Sequence, residues 1–131
     1  VIVDASVVLR WFLNEPGAAA AAAALSTPGL APDLVVAEIG NGLWSALRRQ
    51  RIDEHTARAL LASAPQLFQE LRPANALANQ AFAIACALKH PIYDCFYLAL
   101  AEAEGASLLT FDTRLQAAVK GTPWEILVST P

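Results

Sequence analysis

Four acids along the chain have the types and positions to do chemistry together: Asp4, Glu38, Asp94 and Asp112. Asp4 closes the apolar run Val1-Ile2-Val3, and Asp112 follows Leu108-Leu109-Thr110-Phe111. An open α/β sheet binds ligands beyond the carboxyl ends of its strands, so these two acids are expected on one edge. Asp94 begins a helix after the His90-Pro91 break and reaches the same region if that helix starts there, and Glu38 lies inside a long helix. Carboxylates gathered in a low-dielectric cleft repel, and some stay protonated unless a cation compensates them. A hard divalent ion does so: Mg²⁺, with Mn²⁺ as a substitute, takes oxygen ligands and needs neither cysteine nor histidine. Such an ion activates a water, polarises a phosphoryl oxygen and stabilises the leaving oxygen, which is the chemistry of phosphodiester hydrolysis. Nothing in that scheme requires a 2′-hydroxyl, so the chemistry alone does not choose RNA over DNA.

Each acid has a plainer reading beside this one. Asp4, Asp94 and Asp112 all stand where an aspartate caps a helix, and a lone Glu38 is more often a solvated helix position. A cap reading must be invoked for each aspartate separately and gives no reason for Glu38 to face the same way. At about 100° per residue, Val36, Ile39, Leu43, Ala46 and Leu47 share one side of the Glu38 helix. The other side carries Glu38, Gly42, Ser45 and Arg49, with Asn41 at its margin. Ser6 and Asn41 are short polar groups suited to orienting carboxylates or metal-bound water, or to a local backbone hydrogen bond. Arg48, Arg49 and Arg51 suit phosphate binding and suit a helix C-terminus equally. His55 and His90 read as structural, and Trp44 reads as a core position or a partner contact.

The elements that must position these residues alternate between strand and helix. Val1–Ala5 reads as a buried strand, Ser6–Leu13 as a short helix and Ala18–Leu25 as an alanine-rich helix. Pro28–Pro32 is a loop with room for a very short strand. Asp33 is expected to cap a long helix to about Arg49, and Asp53 with Thr56 to open another that ends before Phe68 or Glu70. A brief extended segment over Glu70–Arg72 leads to a helix over Ala74–Leu88, and a further helix spans Tyr93–Glu104, with Gly105 as its stop. Ser107–Thr110 is a strand, Asp112–Val119 a helix and Glu125–Val128 a last strand. This alternation implies one α/β domain over residues 1–131 with a mostly parallel sheet.

Composition limits the alternatives. With 131 residues and 56% hydrophobic content, one real core is possible and two domains are not. The apolar stretches fall short of the roughly 18–20 residues of a membrane span, and no leader pattern precedes Asp4, so no membrane association and a cytoplasmic location are expected. Cys86 and Cys95 lack CxxC spacing and read as buried free thiols. The net charge of -3 argues against a nucleic-acid partner only until the four acids are set aside, which leaves 8 acids against 9 Lys and Arg.

The ordered set Val3-Asp4-Ala5-Ser6, Glu38-x-x-Asn41, His90-Pro91-Ile92-Tyr93-Asp94 and Leu109-Thr110-Phe111-Asp112 resembles the PIN domain, and most closely the VapC-like toxins of bacterial toxin–antitoxin pairs. The match covers nearly the whole chain. The resemblance implies a PIN-like α/β/α sandwich in which Asp4, Glu38, Asp94 and Asp112 are the metal-binding acidic quartet, with Ser6 and Thr110 as hydroxyls that help hold it. It further implies a Mg²⁺-dependent endoribonuclease that dimerises, cuts structured RNA such as transfer or ribosomal RNA, and is inhibited by a cognate antitoxin protein. Two other functions compete. A Mg²⁺-dependent phosphatase with an aspartyl nucleophile would want a second Asp two residues after Asp4, where Ser6 stands. A catalytically inactive PIN-like module would bind RNA or protein without needing the full quartet.

Overall fold

The computed structural model describes residues 1–131. The opening apolar run becomes β1 (Ile2–Val3), a strand with no exposed surface. Four more strands join it: β2 (Gly29–Pro32), β3 (Phe68–Arg72), β4 (Leu108–Leu109) and β5 (Val128–Ser129). Their order is β3-β2-β1-β4-β5, and every pairing is parallel. The chain builds outward from β1 through β2 to β3, then returns to the other flank of β1 with β4. The order therefore reverses between β1 and β4, the place where an open α/β sheet forms its ligand crevice.

Seven helices cover the sheet: α1 (Ala5–Phe12), α2 (Ala18–Leu25), α3 (Leu34–Arg48), α4 (Glu54–Ser63), α5 (Ala74–Leu88), α6 (Ile92–Glu104) and α7 (Thr113–Val119). The expected α/β architecture with a parallel sheet is what forms. α6 packs on β1, β2 and β4, with α5 lying over it, while α1 contacts α2 and α3. Cys95 and Tyr97–Ala101 of α6 are all buried. Each large apolar side chain buried there contributes about 1.5–3 kcal/mol, which makes α6 a firm platform. Between α1 and α3 the packing is close because residue 42 is glycine: a Cβ there would lie 2.3 Å from Leu9 Cδ1.

Several local expectations change. Asp33 does not cap α3; its Oδ1 accepts from the Ala74 amide at 3.0 Å, so it caps α5 across the β2–β3 pair. Asp33 is itself helical, which turns its carboxylate away from its own first turn. Asp94 is no N-cap either, since α6 starts at Ile92 behind Pro91 and Asp94 falls inside the first turn. Asp53 does cap α4, accepting from the Thr56 amide at 2.6 Å. The very short strand that Pro28–Pro32 had room for does form, as Gly29–Pro32 held between β1 and β3. The last strand starts later than expected, because Glu125–Leu127 forms a 3-10 turn before Val128. Cys95 is buried but Cys86 is exposed on α5, an outward position that apolar flanking residues disguise. No helix is long and apolar enough to cross a membrane.

Candidate functional site

Asp4, Glu38, Asp94 and Asp112 line one cleft of about 660 Å³, and Arg114 is the cation on its wall. They come from four elements: the end of β1, the middle of α3, the first turn of α6 and the loop after β4.

The two strand-end acids also cap helices, so their plain and functional readings are compatible. Asp4 Oδ1 accepts from the Ser6 amide at 2.9 Å and the Val7 amide at 3.4 Å. Asp112 Oδ1 accepts from the amides of Arg114 at 2.8 Å and Leu115 at 3.2 Å. Asp4 is further clasped by two hydroxyls. Ser6 Oγ donates to Oδ1 at 2.5 Å and accepts from the Phe111 amide at 2.8 Å. Thr110 Oγ1 donates to Oδ2 and accepts from the Asp112 amide at 2.9 Å. Each hydroxyl has a single proton, and with its oxygen accepting a backbone N–H that proton is directed to Asp4. That pattern suits an ionised carboxylate and ties the β4–α7 loop to the end of β1. Burial nevertheless pushes the Asp4 carboxyl up to about 6, against the lowering effect of its hydrogen bonds to Ser6, Thr110 and Val7.

Glu38 and Asp94 are held differently, each by one side chain. The Tyr97 hydroxyl donates to Glu38 Oε1 at 2.7 Å, and His90 Nε2 lies 2.6 Å from Asp94 Oδ2. Burial raises Glu38 to about 7, opposed by the Tyr97 hydrogen bond and reinforced by repulsion from Asp94, Asp4 and Asp112. Asp94 is raised too, first by burial and then by Asp112, with His90 opposing. Glu38 Oε2, Asp94 Oδ1 and Asp112 Oδ2 accept no hydrogen bond from the protein. No group of three or more Asp, Glu, His or Cys side chains closes tightly enough to hold an ion alone.

The remaining candidates separate. Asn41 lines the cleft, with no hydrogen bond linking it to an acid. Arg48 stacks on the Trp44 ring, 4.9 Å from its centroid, and lies outside the cleft. Trp44 is 54% exposed and so is not a core residue. Arg49 and Arg51 join Arg10 along a smaller cleft of about 250 Å³ that shares Ser6, Leu9 and Gly42 with the acidic one. Arg51 Nη1 is engaged by Glu15 Oε1 at 2.9 Å. Sequence reasoning missed Arg114 and Tyr97, and set His90 aside as structural. His90 was detectable, because residues 90 and 94 stand four apart across the start of a helix. A tyrosine in an otherwise apolar helix was a second signal, since a buried hydroxyl needs a partner.

The sequence and the fold are both similar to those of known proteins. The PIN domain matches residues 1–121, and the chain belongs to that family. Within it, the chain is homologous to the VapC-type ribonucleases. It is 34% identical to Ribonuclease VapC3 of Pyrobaculum aerophilum, covering 87% of this chain and 90% of that one. It is likewise 34% identical to Ribonuclease VapC1 of Mycobacterium tuberculosis, covering 95% of this chain and 94% of the relative. The crystal structure of PAE2754 from Pyrobaculum aerophilum superposes with a TM-score of 0.69 at 26% identity, over 92% of this chain and 85% of that one.

Proposed function

We propose that residues 1–131 act as one Mg²⁺-dependent endoribonuclease unit, the toxin of a toxin–antitoxin pair, with Asp4, Glu38, Asp94 and Asp112 as its metal-binding and catalytic acids. The observation that carries this reading is the gathering of four carboxylates from four elements around one cleft whose wall offers a single guanidinium. Burial first, and then repulsion from neighbouring acids, raises the proton affinities of Glu38 and Asp94, which a bound cation would offset.

The donor set fits a hard divalent ion. All four groups offer oxygen, and three keep one oxygen free of protein donors. The open arrangement suits Mg²⁺, which keeps several waters and takes one or two carboxylates plus substrate phosphate rather than an all-protein cage. Mn²⁺ would substitute for it. When bound, the ion supplies a nucleophilic water and charge stabilisation at the phosphate. The residues do the rest. Asp4, fixed by Ser6 and Thr110, sets the reference position with Asp112 beside it at the end of the neighbouring strand, and Asp94 faces them from α6. Glu38 orients water over the reacting phosphate. Arg114 is placed to take part of the phosphate charge, and Arg49 and Arg51 extend a basic surface toward the flanking strand. Asn41 contributes a polar contact at the rim.

The names of the relatives support RNA as substrate, and the reading extends to structured RNA such as transfer or ribosomal RNA, a homodimer, a cognate antitoxin covering the groove and a cytoplasmic location. Incubating total RNA with the purified protein and Mg²⁺ or Mn²⁺ tests it against EDTA and against Asp94→Asn. Discrete fragments that need the metal and vanish in the variant are expected. Folded protein that cuts no RNA under any of these conditions would overturn the ribonuclease reading.

A further inference from the structure

We propose that Tyr97 is a positioning residue that sets the rotamer in which Glu38 meets the metal; the inference rests on the metal-dependent reading above. Tyr97 is 1% exposed, sits in the rigid middle of α6, and its hydroxyl crosses to α3 to donate to Glu38 Oε1 at 2.7 Å. It lies beneath the cleft rather than in its wall, so it does not touch substrate.

Three features make this hydrogen bond more than a core tyrosine finding a partner. Glu38 has three side-chain torsions, so its carboxylate samples many positions unless a contact fixes it. The other three acids have shorter side chains, and two of them, Asp4 and Asp112, are pinned by backbone amides as helix caps. Glu38 lies past the first turn of its helix and its side chain caps no backbone N–H, so Tyr97 is its one side-chain hydrogen-bonding partner. A phenol ordinarily loses its proton only at about pH 10, so Tyr97 is a neutral donor. A neutral donor on Oε1 orients the carboxylate without cancelling its charge and leaves Oε2 for the cation. A lysine or arginine in that place would compete with the metal electrostatically.

The test is Tyr97→Phe, which removes one oxygen and keeps the ring in its pocket. Mn²⁺ affinity is measured by titration calorimetry, alongside metal-free thermal unfolding and RNA cleavage as a function of Mn²⁺ concentration, with Glu38→Gln in parallel. Loss of an outer-shell hydrogen bond weakens metal affinity by about 10–100-fold. The expected result is weakening of that order, an unfolding midpoint close to the parent, and cleavage recovered toward parental kcat at high Mn²⁺ with KM for RNA unchanged. A merely structural hydroxyl would lower the midpoint and leave the Mn²⁺ affinity of the folded protein alone, which would overturn the proposal while the metal-dependent reading stood. If the parent protein binds no Mn²⁺ and Glu38→Gln changes nothing, both are overturned.

Discussion

The two halves of the acidic cleft are built on different physical plans. On the strand side, Asp4 and Asp112 double as helix caps, and Ser6 and Thr110 lock Asp4 to the β4–α7 loop through backbone-anchored hydroxyls. On the helix side, Glu38 and Asp94 each rely on a single side-chain partner, Tyr97 or His90. The strand-side acids thus make backbone contacts that offset the cost of their burial, whereas Glu38 and Asp94 cap no helix and have one side-chain partner each against theirs. Removing a strand-side group should damage the fold and the activity together. Removing a helix-side acid should damage activity alone.

The largest expected effect lies in activity. Asp4→Asn should lower RNA cleavage by about a thousand-fold or more, since it removes a charge from the metal-binding set. It should also lower the unfolding free energy, because one of the two oxygens that accept from Ser6 and Thr110 becomes an N–H₂ that cannot accept. Glu38→Gln should abolish cleavage comparably while leaving the metal-free protein as stable as the parent, or more so, at pH 8. Its Oε1 still accepts from Tyr97, and the charge that burial and three neighbouring acids disfavour is gone. Opposite stability changes in these two variants, read by thermal unfolding, would sharpen the contrast, and equal losses would break it.

Next in size is Thr110→Val, which strips one clasp from Asp4 and leaves the Asp112 amide without its acceptor. About 1–3 kcal/mol of stability should go with it in denaturant unfolding, a typical cost of orphaning a buried polar group.

The dependence on pH follows from the same shifts. Asp4 and Glu38 have folded-state values of about 6 and about 7, raised from 3.8 and 4.5. Between those limits the folded state binds more protons than the unfolded one, so metal-free stability should fall as pH rises from about 4 to about 7. The total effect is on the order of a few kcal/mol, and Mg²⁺ should reverse part of it. A flat or rising metal-free profile over that window would show that the acids are not crowded as described. The smallest effect belongs to His90→Ala, which should slow cleavage by about tenfold by loosening Asp94, with little change in unfolding midpoint.

Much of the strand side was legible in the sequence, because the signals there are local. An acid closing an apolar run marks Asp4 and Asp112, and the alternation of strand and helix fixes which edge they share. The helix side was legible only in part. The stripe around Glu38 gave its face, but nothing local says that a tyrosine 59 residues away supplies its hydrogen bond. Asp33 misled for a related reason: its local pattern suggested a cap for α3, while its actual partner, Ala74, lies across a tertiary contact. The arginines of the 48–51 segment looked alike in sequence. Their separation into a Trp44 stack, the smaller cleft and a Glu15 ion pair depends on the tertiary surroundings of the α3 C-terminus.

On the proposed reading, the four acids hold a divalent ion between a backbone-anchored wall and one held by side chains. Anomalous scattering from crystals soaked in Mn²⁺ tests this directly. A peak is expected in the cleft, with carboxylate oxygens of Asp4 and at least one other of the four acids at about 2.0–2.6 Å, the range for hard cations on oxygen. A cleft without a peak at saturating Mn²⁺, or an ion held elsewhere on the chain, would contradict it.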